Sequence, residues 1–540
     1  EIVDCDWSSD VCSSDLPEIS NNQFVSEVIL PSNDTETLLY EHFSKTLGLE
    51  QFSVEDSFFD LGGDSIVAMR MVSQLPDELG LNITDLFSYP SVRELAARSD
   101  ETNATTLNEK LLKLKSQAEM RTSLQTQISK TLRRSIKKYV IKSKFSGLFI
   151  ARSNANKNEK VLFTGVTGYL GIHLFKEMLE NSNAYFYLLV RASDDIAAVA
   201  RLKATWELYF PKSSLDKYAT RFIAIRGDIS EKNLGVEDSA YTMLCNEVSM
   251  VVNCAANVNH YVVYEQSKAS NVLGVSNLLN FVKTGHKKVL HHMSTVSVAG
   301  GNESGEQGVF TENDLDVGQI AFNTYIETKL EAEKLIGEAR MSGVDARIYR
   351  LGDIQCQSGT GVFQKNIEQN AFAITLRSFV GIGKYPNEGL MPFDFTCVDV
   401  LASACCKLIC CKTLKNRNFH VINSHRLEIG TIMDAYCRAG YDITSCSLID
   451  FVDYMIKTNK GANRNIISDL LLHSGLLNQD LEAMGHYIIL SDQTDKILKH
   501  LGFKWPQNDG TTLEKMVSYQ KQIGFITSPD NAKSTSSDSI

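Results

Sequence analysis

The stretch VLFTGVTGYLG, from Val161 to Gly171, decides the fold expected for most of this chain. An apolar run leads directly into Gly165, Gly168 and Gly171, and a helical pattern follows. Glycines at this spacing permit a tight turn after a strand, and they let the backbone approach a pyrophosphate at the N-terminus of the helix. The stretch therefore predicts a dinucleotide site at the start of a doubly wound parallel sheet.

Further short apolar runs, separated by helical stretches at 170–179 and 267–283, extend the pattern of the first strand. This alternation is typical of an α/β fold with a parallel sheet. The predicted strands are Val161–Thr164, Tyr185–Val190, Phe222–Ile225, Met250–Cys254 and Val289–Met293. We expect a dinucleotide-binding (Rossmann) domain over 158–400. The mostly helical pattern beyond Gln364 predicts a smaller substrate-facing subdomain over 364–526, partly interleaved with it.

The N-terminal part predicts a separate four-helix bundle over 32–98. An amphipathic helix spans Thr35–Leu47 with Asp34 as its N-cap, and a second helix spans Ser65–Leu75. Short helical pieces follow at 85–87 and 91–97. Residues 1–16 lack the features of a signal peptide and are interpreted as a non-native leader. Residues 99–157 are expected to form a basic helical linker, and the polar tail over 527–540 is expected to be disordered.

Composition limits the class of protein. A length of 540 residues predicts two or three domains. A hydrophobic content of 43% and the absence of an apolar run long enough to span a membrane predict that these domains are soluble. The net charge of -11 is uneven, with fifteen acidic and four basic residues over 17–100, against four acidic and fourteen basic residues over 101–160. This order argues against nucleic acid as the main partner. It fits an acidic module that docks on basic surface, or simply a solvated charged helix.

Twelve cysteines are scattered along the chain without the regular spacing of a secreted disulfide scaffold. They indicate a reducing, cytoplasmic environment. The pairs Cys405-Cys406 and Cys410-Cys411 lie in an apolar helical stretch with no histidine at ligand spacing, so we interpret them as buried apolar side chains and predict no metal site.

Two arginines suggest which dinucleotide binds. Arg191 ends the 185–190 strand, twenty positions after Gly171, where an acidic residue would favour NAD. An arginine suits the 2′-phosphate of NADP, and Arg201 offers a second cation. The alternative is that both are surface arginines near a strand end. Asp228 and Ile229 follow the third strand and are candidates for contact with the adenine.

Tyr325 and Lys329 lie four positions apart, hence on one face of a helix, and Thr295 lies at the end of an earlier strand. A neighbouring ammonium is expected to lower the pKa of a tyrosine from about 10 by about 1–3 units. Tyr325 would then protonate a carbonyl oxygen held by Thr295, while Lys329 would hold the nicotinamide ribose. The alternative is a structural Tyr-x-x-x-Lys pair that occurs by chance.

Together these residues resemble the extended short-chain dehydrogenase/reductases, and more narrowly the thioester reductase domains of nonribosomal peptide synthetases, aminoadipate reductases and carboxylic acid reductases. The resemblance also rests on Leu189–Ala192, Gly227–Ile229, Asn271–Gly274 and Phe395–Asp399, and Gly361–Asn366 is similar to the peptide-synthetase branch. It implies cofactor contacts from Thr164, Gly165, Thr167, Gly168, Tyr169, Leu170, Gly171, Arg191, Arg201, Asp228, Ile229 and Asn271. The chain departs from the family at Asp353, often asparagine there, and at Cys397, often proline.

The stretch FFDLGGDS over 58–65 resembles the phosphopantetheine attachment site of carrier domains. The resemblance implies that Ser65 accepts 4′-phosphopantetheine from CoA through a phosphopantetheinyl transferase. The alternative interpretation of Ser65 is an N-cap serine after a glycine turn, without modification.

The two resemblances together imply NADPH-dependent reductive release of a carrier-bound peptidyl or aminoacyl thioester as an aldehyde, or as an alcohol after a second reduction. They also imply an upstream adenylation domain that is missing from this chain. The alternatives are an aminoadipate-reductase-like step of lysine biosynthesis, a non-redox release or condensation domain, and an NADP-sensing binding protein on the same fold.

Overall fold

The chain forms two compact units, over 1–104 and 105–540. The computed structural model describes residues 29–49, 51–72, 75–76, 79–102, 110–116, 118, 159–258, 264–302, 308–388, 390, 392–459, 462–473, 485–507 and 510–527. The predicted leader over 1–16, most of the predicted linker (103–109, 117 and 119–157) and the predicted tail from 528 onward lie outside these residues.

The first unit is the predicted four-helix bundle. Its helices are α1 (Asp34–Leu47), α2 (Ser65–Val72), α3 (Ile83–Ser88) and α4 (Val92–Thr102). Their apolar faces enclose one core in which Leu39, Phe43 and Phe58 are fully buried. The fold is therefore sustained by side chains that recur at helical spacing.

Two predicted ends in this bundle are wrong. The N-cap of α1 is Asn33 and not Asp34, because the Asn33 side chain accepts the N–H of Glu36 at 2.7 Å while its backbone is extended. The described part of α2 is Ser65–Val72, and Leu75, the predicted end, is not helical. Pro76 disfavours helical backbone at the residue before it, which accounts for the conformation of Leu75.

The second unit is built on a seven-stranded sheet whose neighbouring strands are all parallel. The strands are β1 (Lys160–Thr164), β2 (Tyr185–Val190), β3 (Phe222–Arg226), β4 (Met250–Asn253), β5 (Val289–Thr295), β8 (Asp345–Leu351) and β12 (Asn418–Val421). Their order is β12-β8-β5-β4-β1-β2-β3. The five predicted strands are confirmed, whereas β8 and β12 were not predicted, and β12 lies in the part expected to be helical.

Helices cover both faces of this sheet. They are α5 (Tyr169–Asn181), α6 (Asp195–Tyr209), α7 (Asp238–Glu247), α8 (Tyr264–Lys268), α9 (Gly274–Lys283), α10 (Thr324–Met341) and α12 (Val398–Cys410). The predicted helix over 267–283 is interrupted, because a π-helical turn over Ala269–Leu273 separates α8 from α9. Chain order reverses between β1 and β4, and ligands of open α/β sheets bind at the carboxyl ends of the strands at such a reversal.

Short strands and further helices complete the second unit. The strands are β6 (Gly301–Asn302), β7 (Gly308–Phe310), β9 (Ile354–Gln355), β10 (Lys384–Pro386), β11 (Thr396–Cys397), β13 (Thr444–Cys446) and β14 (Gly485–Ile489). The helices are α11 (Ala371–Ile382), α13 (Ile429–Arg438), α14 (Leu448–Thr458), α15 (Ala462–His473), α16 (Asp492–His500) and α17 (Gly510–Gln522). In the described part of the chain, no helix is both long and apolar enough to cross a membrane.

A helical segment over 110–116, within the predicted linker, belongs to this second unit. Leu111 and Leu114 are buried in the same apolar cluster as residues of α11, α13 and α14, and Ala118 joins them. Lys115 forms a salt bridge of 2.7 Å with Asp453 of α14. This part of the predicted linker therefore packs on the helical subdomain.

Candidate active site

The glycine turn after β1 has the geometry of a phosphate cradle. Gly165 has a φ of 72°, and a Cβ added to it would lie 2.4 Å from the backbone nitrogen of Ala255. A Cβ on Gly171 would lie 2.0 Å from the carbonyl oxygen of Gly165. Gly168 precedes α5 as its N-cap without a side-chain hydrogen bond. Only glycine fits the two crowded positions, and the turn leaves the first amides of α5 available to an anion.

A cleft runs from this turn along the carboxyl ends of the central strands. Of the predicted cofactor residues, it brings together Thr164, Gly165, Thr167, Gly168, Arg191, Arg201, Asp228 and Ile229. Arg201 donates a hydrogen bond of 2.8 Å to the carbonyl of Arg191, which keeps two exposed cations on one rim. A dinucleotide with its pyrophosphate at the turn and an added phosphate at the arginines fits this arrangement.

Four predicted cofactor residues do not line the cleft, and three of them belong to the start of α5. Tyr169 donates its hydroxyl to the carbonyl oxygens of Gln355 and Val362, at 3.0 and 3.2 Å. Leu170 is buried in the core beneath α5, and Gly171 contacts the turn itself. These three residues therefore hold the glycine turn and α5 in place and do not line the cleft.

Asn271, the fourth, has a different set of contacts from the predicted one. It lies in the π-helical turn, where its side chain accepts the N–H of Asn257 and donates to the Asn257 carbonyl, at 2.8 and 2.9 Å. It also donates to the hydroxyl of Thr328 in α10 at 3.0 Å. Asn271 thus connects the loop after β4 to the helix that carries Tyr325 and Lys329, and its contact with the cofactor stays a prediction.

Sequence reasoning missed several residues of the cleft. They are Leu189, Gly227, Cys254, Ala255, Ala256 and Ser270. Cys254–Ala256 directly follow β4, so the rule that parallel strands present their carboxyl ends to the ligand was the signal that could have found them. Burial raises the pKa of the Cys254 thiol to about 12, which makes it an apolar wall of the site and not a nucleophile.

Thr295 and Tyr325 come together at the end of β5. Thr295 is the last residue of β5, and Tyr325 lies in the first turn of α10, whose N-cap is Asn323. The two hydroxyls are hydrogen-bonded. Burial is the main cause that raises the pKa of Tyr325 to about 12, and Asp353 acts in the same direction while the hydrogen bond with Thr295 opposes both.

Lys329 lies one turn after Tyr325 but its amine turns toward β5. Its Nζ donates to the carbonyl of Met293 at 2.7 Å and lies 3.4 Å from Nε2 of His292. Nδ1 of His292 lies 3.0 Å from the side-chain amide nitrogen of Asn253, whose oxygen accepts the hydroxyl of Thr164 at 2.6 Å. A chain of polar contacts therefore joins the glycine-turn strand to Lys329.

The predicted effect of Lys329 on Tyr325 is wrong. The pKa of Tyr325 is raised and not lowered, and Lys329 is not among the groups that shift it. Burial also lowers the pKa of Lys329 to about 8, against Glu333 and Cys254, which raise it. Tyr325 is therefore a protonated acid at neutral pH, because desolvation outweighs the hydrogen bond with Thr295.

The carrier motif of the first unit also has a defined geometry. Gly62 has a φ of 99°, and a Cβ on Gly63 would lie 2.2 Å from the ring of Phe58. The Asp64 side chain accepts the N–H of Val67 at 2.8 Å, and α2 begins at Ser65. Asp64 thus occupies the capping position, which removes the interpretation of Ser65 as the N-cap of this helix.

Each of the two units contains a stretch that is similar to a known protein family. Residues 37–99 match the family described as phosphopantetheine attachment site, and residues 163–405 match the NAD-binding family described as male sterility protein. A thiolation-reductase di-domain from an archaeal non-ribosomal peptide synthetase is similar in structure, with a TM-score of 0.70 and 25% identity over 92% of this chain and 99% of that one. The terminal R domain of the myxalamid pathway has a TM-score of 0.59 and 25% identity over 71% of this chain and 97% of that one.

Curated relatives are longer proteins. A linear gramicidin synthase protein of Brevibacillus parabrevis is 24% identical over 96% of this chain and 10% of its own length. The L-2-aminoadipate reductase large subunit of Eremothecium gossypii is 28% identical over 75% of this chain and 31% of its own length. The chain therefore spans less than a third of the length of these two relatives.

Proposed function

We propose that the chain reduces an acyl thioester held on Ser65 and releases the acyl group as an aldehyde, with NADPH as the reductant. The proposal is supported by the match of residues 37–99 to the phosphopantetheine attachment site family and of residues 163–405 to the NAD-binding family described as male sterility protein. The observation that carries the proposal is the order of the two domains on one chain. A covalent thioester arm and a hydride-transfer site on one polypeptide serve a common substrate.

The residues of the cleft fit the cofactor. The glycine turn and the first amides of α5 would hold the pyrophosphate, and Arg191 and Arg201 the 2′-phosphate. Lys329 does not line this cleft, and it would hold the nicotinamide ribose from its position in α10, where its amine donates to the Met293 carbonyl. Bound there, NADPH supplies the hydride for the carbonyl carbon. The chain itself supplies the proton and the orientation.

Tyr325 is the proton donor in this proposal, and Thr295 is the second donor to the carbonyl oxygen. As the carbonyl carbon is reduced, its oxygen takes the phenolic proton and a hemithioacetal forms. The carbon–sulfur bond then breaks, the hydroxyl proton returns to Tyr325, and the sulfur leaves as a thiolate that takes a proton from water. The raised pKa of Tyr325 suits this role, because the phenol keeps its proton until the oxygen develops charge.

The proposal needs two partners. A phosphopantetheinyl transferase must modify Ser65, and an adenylation domain must supply the acyl group. An aminoadipate-reductase-like step of lysine biosynthesis is the second candidate, favoured by the likeness to the L-2-aminoadipate reductase large subunit. It shares the same chemistry and differs only in the acyl group.

The full chain tests the proposal directly. A phosphopantetheinyl transferase would transfer the acyl-phosphopantetheine arm of an acyl-CoA to unmodified Ser65 in one step. The reaction would then be followed through loss of NADPH fluorescence, with chromatography to identify the released aldehyde or alcohol. We expect one NADPH consumed for each aldehyde formed. Ser65→Ala should take up no acyl arm while it binds NADPH normally. Loaded protein that never oxidises NADPH would overturn the proposal.

Tyr325→Phe separates chemistry from binding. Removing a positioned general acid costs about 10²–10⁴-fold in rate, so we expect turnover to fall at least about 100-fold while NADPH affinity stays near that of the unaltered protein. The non-redox release domain and the NADP-sensing protein predict no oxidation at all. Unchanged turnover in Tyr325→Phe would refute the role assigned to the tyrosine.

A further inference from the structure

Asp353 lies near Tyr325 and has no role in the proton transfer proposed for Tyr325 and Thr295. It follows β8, whose residue Leu351 pairs with Thr295 of β5 in the parallel register. Two residues beyond that pair, Asp353 lies close enough to Tyr325 to act on its phenol. The register and this interaction together place Asp353 at the rim of the site where the thioester carbonyl must lie.

The backbone of Asp353 is held from the next segment of the chain. Its N–H donates to Oδ2 of Asp394 at 3.1 Å, and Oδ1 of Asp394 accepts the hydroxyl of Thr396 at 2.6 Å. Gly352 makes this contact possible, since a Cβ there would lie 1.5 Å from Asp394 Oδ2. Asp394 thus uses its oxygens to fix the position of Asp353.

The side chain of Asp353 remains available. It is exposed to solvent, and it has no hydrogen bond or salt bridge among the described residues. The charged and titratable groups that face it are Tyr325, Asp394 and Arg426. Arg426 lowers the pKa of both carboxyls but lies beyond salt-bridge distance of either within the described part of the second unit. The surroundings of Asp353 therefore have more negative charge than positive charge.

We propose that Asp353 is a specificity-determining residue that binds a free, protonated amino group close to the thioester carbonyl, so that the preferred substrate is an aminoacyl thioester and not an N-acylated peptidyl thioester. This inference rests on the proposed function and narrows its substrate class. An ammonium complements an unpaired carboxylate through a charge-assisted hydrogen bond, whereas an amide N–H or an alkyl group leaves that carboxylate uncompensated. The carboxylate also anchors the substrate on the side of Tyr325, which orients the carbonyl.

The preference for an amino group should depend on pH, because it depends on the charge of Asp353. Although part of Asp353 is exposed at the surface, the protein atoms packed around its carboxylate desolvate it and raise its pKa to about 6, with Arg426 opposing the shift. Burial likewise raises the pKa of Asp394 to about 7. Asp353 therefore loses its charge as the pH falls through about 6. We expect the preference for an amino group to decline over the same range.

Three acyl groups test the inference on the full chain: alanyl, N-acetylalanyl and propionyl, each transferred to unmodified Ser65 together with its phosphopantetheine arm, from the corresponding acyl-CoA, by a phosphopantetheinyl transferase. Single-turnover NADPH oxidation should be about 10-fold faster or more for alanyl than for the other two. Asp353→Asn, which keeps the shape and removes the charge, should slow alanyl reduction by about the same factor and leave the other two within about 3-fold. Glu327→Gln, which removes an exposed charge from the same turn of α10 as Tyr325, should keep the preference.

The outcomes are distinct. Oxidation of NADPH by none of the three loaded forms overturns the proposed function, and this inference with it. Equal rates for the three acyl groups, or an equal loss for all three in Asp353→Asn, overturns the inference alone. If Asp353→Asn does not bind NADPH, the pH dependence of the unaltered protein decides, since a preference for alanyl that persists unchanged from pH 7.5 to 5 contradicts a role for this carboxylate.

Discussion

At the scale of single residues, Arg191 and Arg201 form an exposed cationic rim at the end of β2. Arg191→Ala should raise the dissociation constant of NADPH about 10-fold or more and change that of NADH by less than about 3-fold, because only NADPH places a phosphate there. Fluorescence titration with both nucleotides measures the difference.

Arg226 offers a matched control for this prediction. It is an exposed arginine at the end of the neighbouring strand β3, and it does not line the cleft. Arg226→Ala should leave both affinities unchanged. Equal losses of NADPH and NADH binding in Arg191→Ala would show that the rim does not discriminate between the two nucleotides.

The sequence predicted which residues lie in the site better than it predicted their pKa values. Thr295, Tyr325 and Lys329 were indicated by three signals together, namely the preceding glycine turn, a strand that ends at a hydroxyl residue, and the four-residue spacing that places two side chains on one helix face. The direction of the pKa shift at Tyr325 was not predictable. It depends on how completely the phenol is desolvated and on where the Lys329 amine points, and both are set by tertiary packing.

At the scale of elements, the contact between the glycine turn and α5 depends on Gly171. We expect Gly171→Ala to weaken NADPH binding by about 10-fold or more, since its Cβ would lie 2.0 Å from the Gly165 carbonyl and push the turn away from the helix. Gly381→Ala is the control, because this glycine lies in α11 and does not line the cleft, and its Cβ would meet only the end of the Ile466 side chain at 3.1 Å. Equal losses of NADPH affinity in the two variants would contradict this account.

The helical segment over 110–116 should stabilise the second unit. Leu114→Ala removes a buried side chain from the cluster shared with α14 and should lower the free energy of unfolding by about 2–4 kcal/mol. Leu112→Ala, at a position 55% exposed, should change it by less than about 0.5 kcal/mol. Denaturant unfolding of the full chain measures both. Similar effects of the two substitutions would show that the segment is not packed in solution.

Strands β8 and β12 show why part of the sheet was not predicted. Strand β8 reads DARIYRL, and its charged residues obscure an apolar run. Yet Arg350 is fully buried, since it bonds Glu333 of α10 with an Nη2–Oε2 distance of 2.7 Å and lies over the ring of Phe310. Burial of Arg350 depends on its ion pair with Glu333, which lies on a different element, so the local sequence of β8 does not predict it.

At the scale of the whole molecule, four buried histidines predict sensitivity to acid. Burial is the main cause that lowers the pKa of His173 to about 4 and of His420 to about 3, and it holds the pKa of His291 and His292 well below the usual value. Unfolded histidines take up protons below about pH 6.5 while these stay neutral in the native state. Each therefore removes about 1.4 kcal/mol of stability per pH unit as the pH falls toward the native pKa.

Carboxyls with a raised pKa oppose this loss, because they bind protons more tightly in the native state; in the described part of the chain they are Glu177, Glu312, Asp353, Asp394, Asp469 and Asp495. The shift is large only at Asp353 and Asp394, whereas it is large at all four histidines, so the melting temperature should fall between pH 6.5 and 4.5. His173→Phe should make the fall less steep, since the ring lies in an aromatic cluster with Tyr209 and Phe210. A melting temperature that rises on acidification would contradict this prediction.

The overall architecture was predictable because it follows from two local signals. The glycine turn after a strand is typical of a parallel α/β sheet, and the carrier motif is typical of a small helical bundle. Packing between distant segments was not. The segment with Leu111 and Leu114 lies in a stretch whose basic composition predicts a solvated linker, and only three-dimensional contacts show that its apolar side chains have a core to join.

This segment decides where the protein can be divided for module exchange. A fragment of the second unit that starts at residue 158 would leave uncovered the apolar surface that Leu111 and Leu114 cover, and Asp453 would lose its salt bridge with Lys115. A junction placed between 103 and 109 would keep that surface covered. Hybrid proteins that receive the second unit should therefore include the helical segment over 110–116.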